Sequence, residues 1–281
     1  MIIIICVRIK RILKVIDIIA DLRTKLESRE SFEPLFNYFI KKSINKQRKE
    51  ESDLGNPYNF SAFYERFIEN YARVNTDIVF EHCESPIERI FINSLTLLFL
   101  KNSNTELQIT PPFENVEDAI SNFRNNHLDI LRVIERYKKD TRDNDLNDFE
   151  QFIQGKIDSG RYKEGDYEIF EYHRLVVDNF IWNSYHLSLQ AGFPDYKVDG
   201  KSIRADILIW CPGNEKIKLI VECDGYQYHN SKESFVRDRK RDRLLKSKGY
   251  DVIRFSGSEI YKNPVQVSDE LYDYIDNLYK G

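Results

Sequence analysis

The chain has 281 residues, 41% of them hydrophobic and 13% aromatic, with a formal charge of −4 and a pI near 5.9. That is enough apolar material for one large or two modest globular domains, and it excludes a disordered polypeptide. The acidic balance excludes a protein that coats nucleic acid over its whole surface, so any contact with phosphate has to be local.

The first segment, MIIIICVRIKRILKVIDIIADLR, is apolar, but Arg8, Lys10, Arg11 and Lys14 interrupt it well short of the roughly 20 residues a spanning helix needs. Its basic residues follow the apolar run, whereas a signal peptide places them before it. The expectation is a soluble cytoplasmic protein with no membrane span, an interfacial amphipathic helix at 8–24 being the alternative. The cysteines, Cys6, Cys83, Cys211 and Cys223, form no CxxC pair, which argues against a disulfide scaffold or a structural zinc site.

Apolar residues at helical spacing, such as Ile12, Val15, Ile16, Ile19 and Leu22, predict helices over 11–48 and 59–75, separated by a turn-rich stretch around Gly55 and Pro57. Ser85, Pro86 and Glu88 read as the cap, first and third positions of a helix from Pro86 to about Leu100. Residues 102–185 are polar and charge-rich, with helical spacing in Ile120, Phe123, His127, Ile130, Leu131 and Ile134, and are read as a helical insertion.

After residue 185 the period changes. Strands are predicted at His186–Ala191, Ser202–Trp210 and Lys216–Asp224, then a charged helix over 231–248 ended by Gly249, a strand Tyr250–Phe255, and a helix Pro264–Tyr279. This order predicts an α/β fold on a mixed sheet. The expected division is an N-terminal helical region 1–80, a core made of 81–101 and 186–281, and the insertion 102–185.

In LIVECDG, Glu222 and Asp224 share one face of a strand while Cys223 points into the opposite layer. Such a pair of carboxylates repels itself unless a cation neutralises it; otherwise it is a solvated strand end. Asp206 is the third acid, set inside the apolar strand SIRADILIW, where an ionised carboxylate is costly unless it meets a cation or hydrogen bonds. It falls opposite Glu222 only for a hairpin loop of odd length, Gly213–Glu215 or Pro212–Lys216. His229, past the Gly225 turn, is placed to return as a general base or to orient a water. From Lys232 to Lys248 there are eight Lys or Arg against three acids. Beside an acidic site, that basic helix fits phosphate through Arg237, Lys240, Arg241 and Lys248; alone it would be a solvated face.

The run VECDGYQYHNSKESFVRDRKRDRLLKSKGYDVIRFSGSEIYKNP resembles the E-x-D-G…H…RDR-x-L…GY-x-V-x-RF-x-G-x-E signature of small nucleases related to the very-short-patch-repair endonucleases, and through them the restriction-endonuclease-like PD-(D/E)xK superfamily. The resemblance spans 186–281 plus the Ser85–Leu100 helix. It implies a restriction-endonuclease-like core whose central sheet is flanked by helices. Asp206 matches the metal-binding Asp, Glu222 the first acid of the (D/E)xK element, and Asp224 the position where many members carry Lys. His229 matches the motif His, and Glu88 resembles the acid often found on the first helix. The implied activity is hydrolysis of DNA by an endonuclease using Mg²⁺ or Mn²⁺, held by Asp206, Glu222 and the Cys223 carbonyl. Two alternatives stay open: an inactive nuclease-like module that binds nucleic acid or protein, and an effector whose target is chosen by a partner protein in a defence, repair or mobile-element system.

Overall fold

The computed structural model describes residues 20–53, 73–102, 107–125, 184–225 and 232–280. Alternating apolar residues over 184–225 favour extended backbone, and there the chain forms β2 (Tyr185–Val198), β3 (Lys201–Cys211) and β4 (Asn214–Asp224), a meander of antiparallel pairs. β1 (Leu107–Thr110) lies parallel to β2 at one edge, and β5 (Asp251–Ser256) parallel to β4 at the other, giving a five-stranded mixed sheet in chain order.

Helices cover both faces. In chain order they are α1 (20–27), α2 (Arg29–Asp53), α3 (73–82), α4 (Pro86–Asn102), α5 (116–125), α6 (Lys232–Ser247), α7 (Gly257–Lys262) and α8 (Pro264–Lys280). On one face Phe91 and Leu95 of α4 and Leu271 and Ile275 of α8 pack with Leu187, Ile209 and Val221. On the other, Val116 and Ile120 of α5 and Leu245 of α6 pack with Phe193, Trp210 and Ile220. The helix α6 is the crossover that parallel strands require, and Gly249 ends it in the left-handed region at φ +86°, as the sequence predicts.

Two expectations need correction. The segment 102–185 is not wholly a helical insertion, because Leu107–Thr110 is an edge strand of the sheet and Val116 and Ile120 are core residues. A four-residue strand is too short to display a period, and its extended form is set by the partner strand rather than by its own pattern. The β3–β4 loop is also not of odd length. Cys211 pairs with Asn214 around a two-residue turn, while the next pair is Trp210 with Lys218, so β4 bulges by three residues. That bulge reverses the face parity an even turn imposes.

Of the expected N-terminal helical region, residues 20–27, 29–53 and 73–80 are helical, whereas 1–19 and 54–72 lie outside the described residues, as do 103–106 and 126–183 of the expected insertion. Among the described residues no helix is long and apolar enough to cross a membrane.

Candidate active site

The paired register of β3 and β4 ends at Ile207 opposite Val221, and Asp206 and Glu222 are the next residues of the two strands. Here the ladder passes to a side chain, for the Cys223 N–H donates to Asp206 Oδ2 at 2.8 Å. On the β2 side, Leu189 pairs with Ile207 and Ala191 with Ala205, so Gln190 flanks Asp206. On the β5 side Glu222 pairs with Arg254. Gln190, Asp206, Glu222 and Arg254 thus form one row across four strands. At this row both β2 and β3 change faces: Leu189 and Ile207 belong to the core under α4 and α8, Ala191 and Ala205 to the core under α5 and α6.

Helices bring further charges to the row. Glu88 starts α4 in a cap, its N–H donating to Ser85 Oγ at 3.2 Å and its carboxylate accepting from the Ser85 hydroxyl at 2.8 Å and the Glu84 N–H at 3.1 Å. That is the helix start expected from Ser85, Pro86 and Glu88. The same carboxylate accepts a hydrogen bond from Gln190 Nε2 at 3.0 Å, which ties the helix start to the row. From α6, Arg241 forms an ion pair with Glu222 and donates to the Arg204 carbonyl at 2.7 Å. Arg254 bonds Asp224 at 3.0 Å and Asp242 of α6 at 2.8 Å.

Taking these carboxylates out of water disfavours their charged forms. Burial raises Glu222 to about 8 despite the opposing pull of Arg241, and it raises Asp206 against the Cys223 hydrogen bond and Arg241. Burial likewise raises Glu88 more than its Ser85 hydrogen bond lowers it. Burial opposes the charge of Arg254, but Asp242, Glu222 and Asp224 together outweigh it and raise its pKa. The Cys223 side chain packs against the core under α4 and α8, and burial keeps its thiol protonated.

Of the residues singled out from sequence, Glu88, Asp206, Glu222, Cys223 and Asp224 gather at this end of the sheet. His229 lies outside the described residues. The four cations of α6 and its C-terminal turn are not all presented outward. Arg241 turns inward to Glu222, whereas Arg237 is exposed. Lys240 pairs with Asp199 at 2.8 Å, and the Lys248 ammonium stands 5.3 Å from the centre of the Tyr196 ring. Sequence reading missed Gln190 and Arg254. A polar residue in the predicted strand His186–Ala191 and the arginine of the VIRF strand were the available signals, but neither is informative until the strands are in register.

The residues present suit a hard divalent cation, on two observations. The donors are carboxylate and amide oxygens, and the Oε1 atom of Gln190, whose Nε2 bonds Glu88, is buried without a hydrogen-bond partner. Among the described residues no three His, Cys, Asp or Glu side chains converge as a metal cage. An ion here would therefore rest on two carboxylates and complete its shell with amide or backbone oxygen, water and phosphate, an arrangement Mg²⁺ accepts. A cleft of about 630 Å³ opens at Gln190, walled by Phe113 and Phe193 and rimmed by Glu81, Glu84 and Arg204.

The family model REase_MTES_1575 matches residues 174–275, which span β2 to most of α8. The match supports a restriction-endonuclease-like nuclease domain over this part of the chain. Two uncharacterized proteins of Haemophilus influenzae are similar to it: one is 38% identical over 65 residues, 23% of this chain and 40% of the relative. The other is 36% identical over 63 residues, 22% of this chain and 51% of the relative. The chain thus spans about half or less of the curated relatives it matches. No solved structure matches it.

Proposed function

We propose that this protein is a divalent-metal-dependent endonuclease that hydrolyses DNA phosphodiester bonds, of the PD-(D/E)xK type, with Asp206 and Glu222 as the side-chain ligands of Mg²⁺ or Mn²⁺. The placing of these two acids next to the end of the paired β3–β4 register, Glu222 buried and Asp206 half-buried, is the observation that carries the reading. Among the described residues Glu222 pairs with Arg241, and Asp224 with Arg254, which it shares with Asp242, so two arginines stand among the four acids Glu88, Asp206, Glu222 and Asp224. A bound divalent ion supplies further positive charge, relieves the phosphate and lowers the pKa of a water.

The protein's own groups divide the remaining work. The Cys223 N–H holds Asp206 at a fixed angle, and the Cys223 carbonyl is the third protein ligand. Arg254 fixes Asp224, which stands where many relatives by resemblance carry Lys; the cationic role passes to the metal and to these arginines. Glu88 orients water at the edge of the site, and His229 takes its proton. The exposed Arg237, with Lys240 and Lys248, meets DNA phosphates along α6 and just beyond it.

A second reading, a nuclease-like module that binds without cutting, is favoured by one observation: Glu222 and Asp224 already have internal cations in Arg241 and Arg254. One assay separates them. Plasmid, single-stranded DNA and RNA are incubated with the protein and Mg²⁺ or Mn²⁺, beside Glu222→Ala. Cleavage of DNA lost in the variant is expected; no cleavage of any substrate by the wild-type protein leaves the binding module.

A further inference from the structure

Gln190 is the least comfortable residue of the sheet. Its φ of +47° lies in the left-handed region, which costs an ordinary side chain about 1 to 2 kcal/mol and is entered without that penalty by glycine. The residue is only 6% exposed, and although Nε2 donates to Glu88, Oε1 is buried with no partner. A structural glutamine would satisfy both ends, since an unmet buried acceptor costs about 1 to 3 kcal/mol. Strain and an orphaned acceptor at one residue, which flanks Asp206 in the strand register and lines the cleft, mark a group held for a ligand.

We propose that Gln190 is a further residue of the metal site: its amide nitrogen positions Glu88, and its side-chain oxygen serves the divalent cation, directly or through a water on that cation. This rests on the metal-dependent reading above. The left-handed turn is what brings the side chain there, because it is the point where β2 crosses from one core to the other. Asp206, Glu222, Gln190 and, through Gln190, Glu88 then form one oxygen-donor set drawn from β2, β3, β4 and α4.

The test uses Mn²⁺ alone, with binding followed by the loss of the free-ion electron paramagnetic resonance signal. Gln190→Gly removes the oxygen while relieving the backbone. It is expected to stay folded and to raise the Mn²⁺ dissociation constant about tenfold to a hundredfold, the usual loss when a supporting group of a metal site is removed. Gln190→Asn tolerates left-handed backbone but is one methylene too short to serve Glu88 and the cation together, so it should show the same rise; it carries the test if the glycine variant does not fold. Affinity within twofold of wild type in a folded variant overturns the role of Gln190 and leaves the metal reading standing. Wild-type protein that binds no Mn²⁺ overturns both.

Discussion

Arg254 lies beside Glu222 in the parallel register of β4 and β5, yet its guanidinium pairs with Asp224 two residues on and with Asp242 of α6. The planar fork of an arginine can bridge two carboxylates, and here it joins three elements, β4, β5 and the crossover helix. A lysine keeps the charge but not the fork. Arg254→Lys should therefore lose about 2 kcal/mol of stability in urea unfolding, in the range of a broken charged hydrogen bond. Equal unfolding midpoints for the two proteins would mean that the bridge contributes nothing.

Arg241 is the cation paired with Glu222. Removing one partner of a buried pair leaves the other uncompensated, a loss of about 3 kcal/mol. Arg241→Gln is expected to lower the thermal midpoint in chelator, and Mn²⁺ should raise it by more than it raises the wild type, because the ion then replaces the missing charge. The same Mn²⁺ shift in both proteins would separate Arg241 from the cation site.

Stability should also depend on pH with a definite sign. Burial raises Glu222 to about 8 from an ordinary value of 4.5, so between these limits the folded state binds a proton that the unfolded chain has released. The associated stability is fully present below the lower value, declines as pH rises, and is gone above the upper one. Glu88 and Asp206, raised in the same direction, add to the trend. Thermal midpoints of metal-free protein should fall from about pH 5 to about pH 9. Glu222→Gln should flatten much of the slope; a variant as steep as the wild type would clear Glu222 of the effect.

With Arg241 engaged at Glu222, nucleic-acid affinity is expected to rest on the outward residues of α6, Arg237 first among them. Each lost phosphate contact lowers the slope of log affinity against log salt by about 1. Arg237→Glu should weaken duplex binding and reduce that slope. An unchanged slope in the folded variant would assign Arg237 to the solvated surface.

Gly192 sits two residues past Gln190 and at the wall of the cleft. A Cβ there would come within 2.3 Å of the Glu114 carbonyl oxygen, and the Gly192 N–H donates to the Phe113 carbonyl at 2.9 Å. The 113–114 backbone has to move for any side chain, so Gly192→Ala should cost about 3 kcal/mol, the upper end of overpacking effects. A loss under 0.5 kcal/mol, roughly the level of a neutral surface change, would show that this approach is soft.

What the sequence determined by itself was local. Ser85, Pro86 and Glu88 announce a helix start because capping needs only four consecutive residues, Gly249 marks the end of α6, and alternation in SIRADILIW and LIVECDG shows two strands carrying acids. The partners of those acids were decided elsewhere. Asp206 meets Glu222 only because a three-residue bulge in β4 corrects the parity of a two-residue turn, and no local pattern announces that bulge. Arg254 reaches Asp224 once α6 has carried the chain to a parallel strand, Arg241 turns inward because that helix packs over the sheet, and Gln190 joins them where β2 changes faces. Periodicity encodes which way a side chain points along its own strand, whereas register, crossover and ion pairing depend on how separate strands and helices settle against a shared core, and that only the assembled sheet decides.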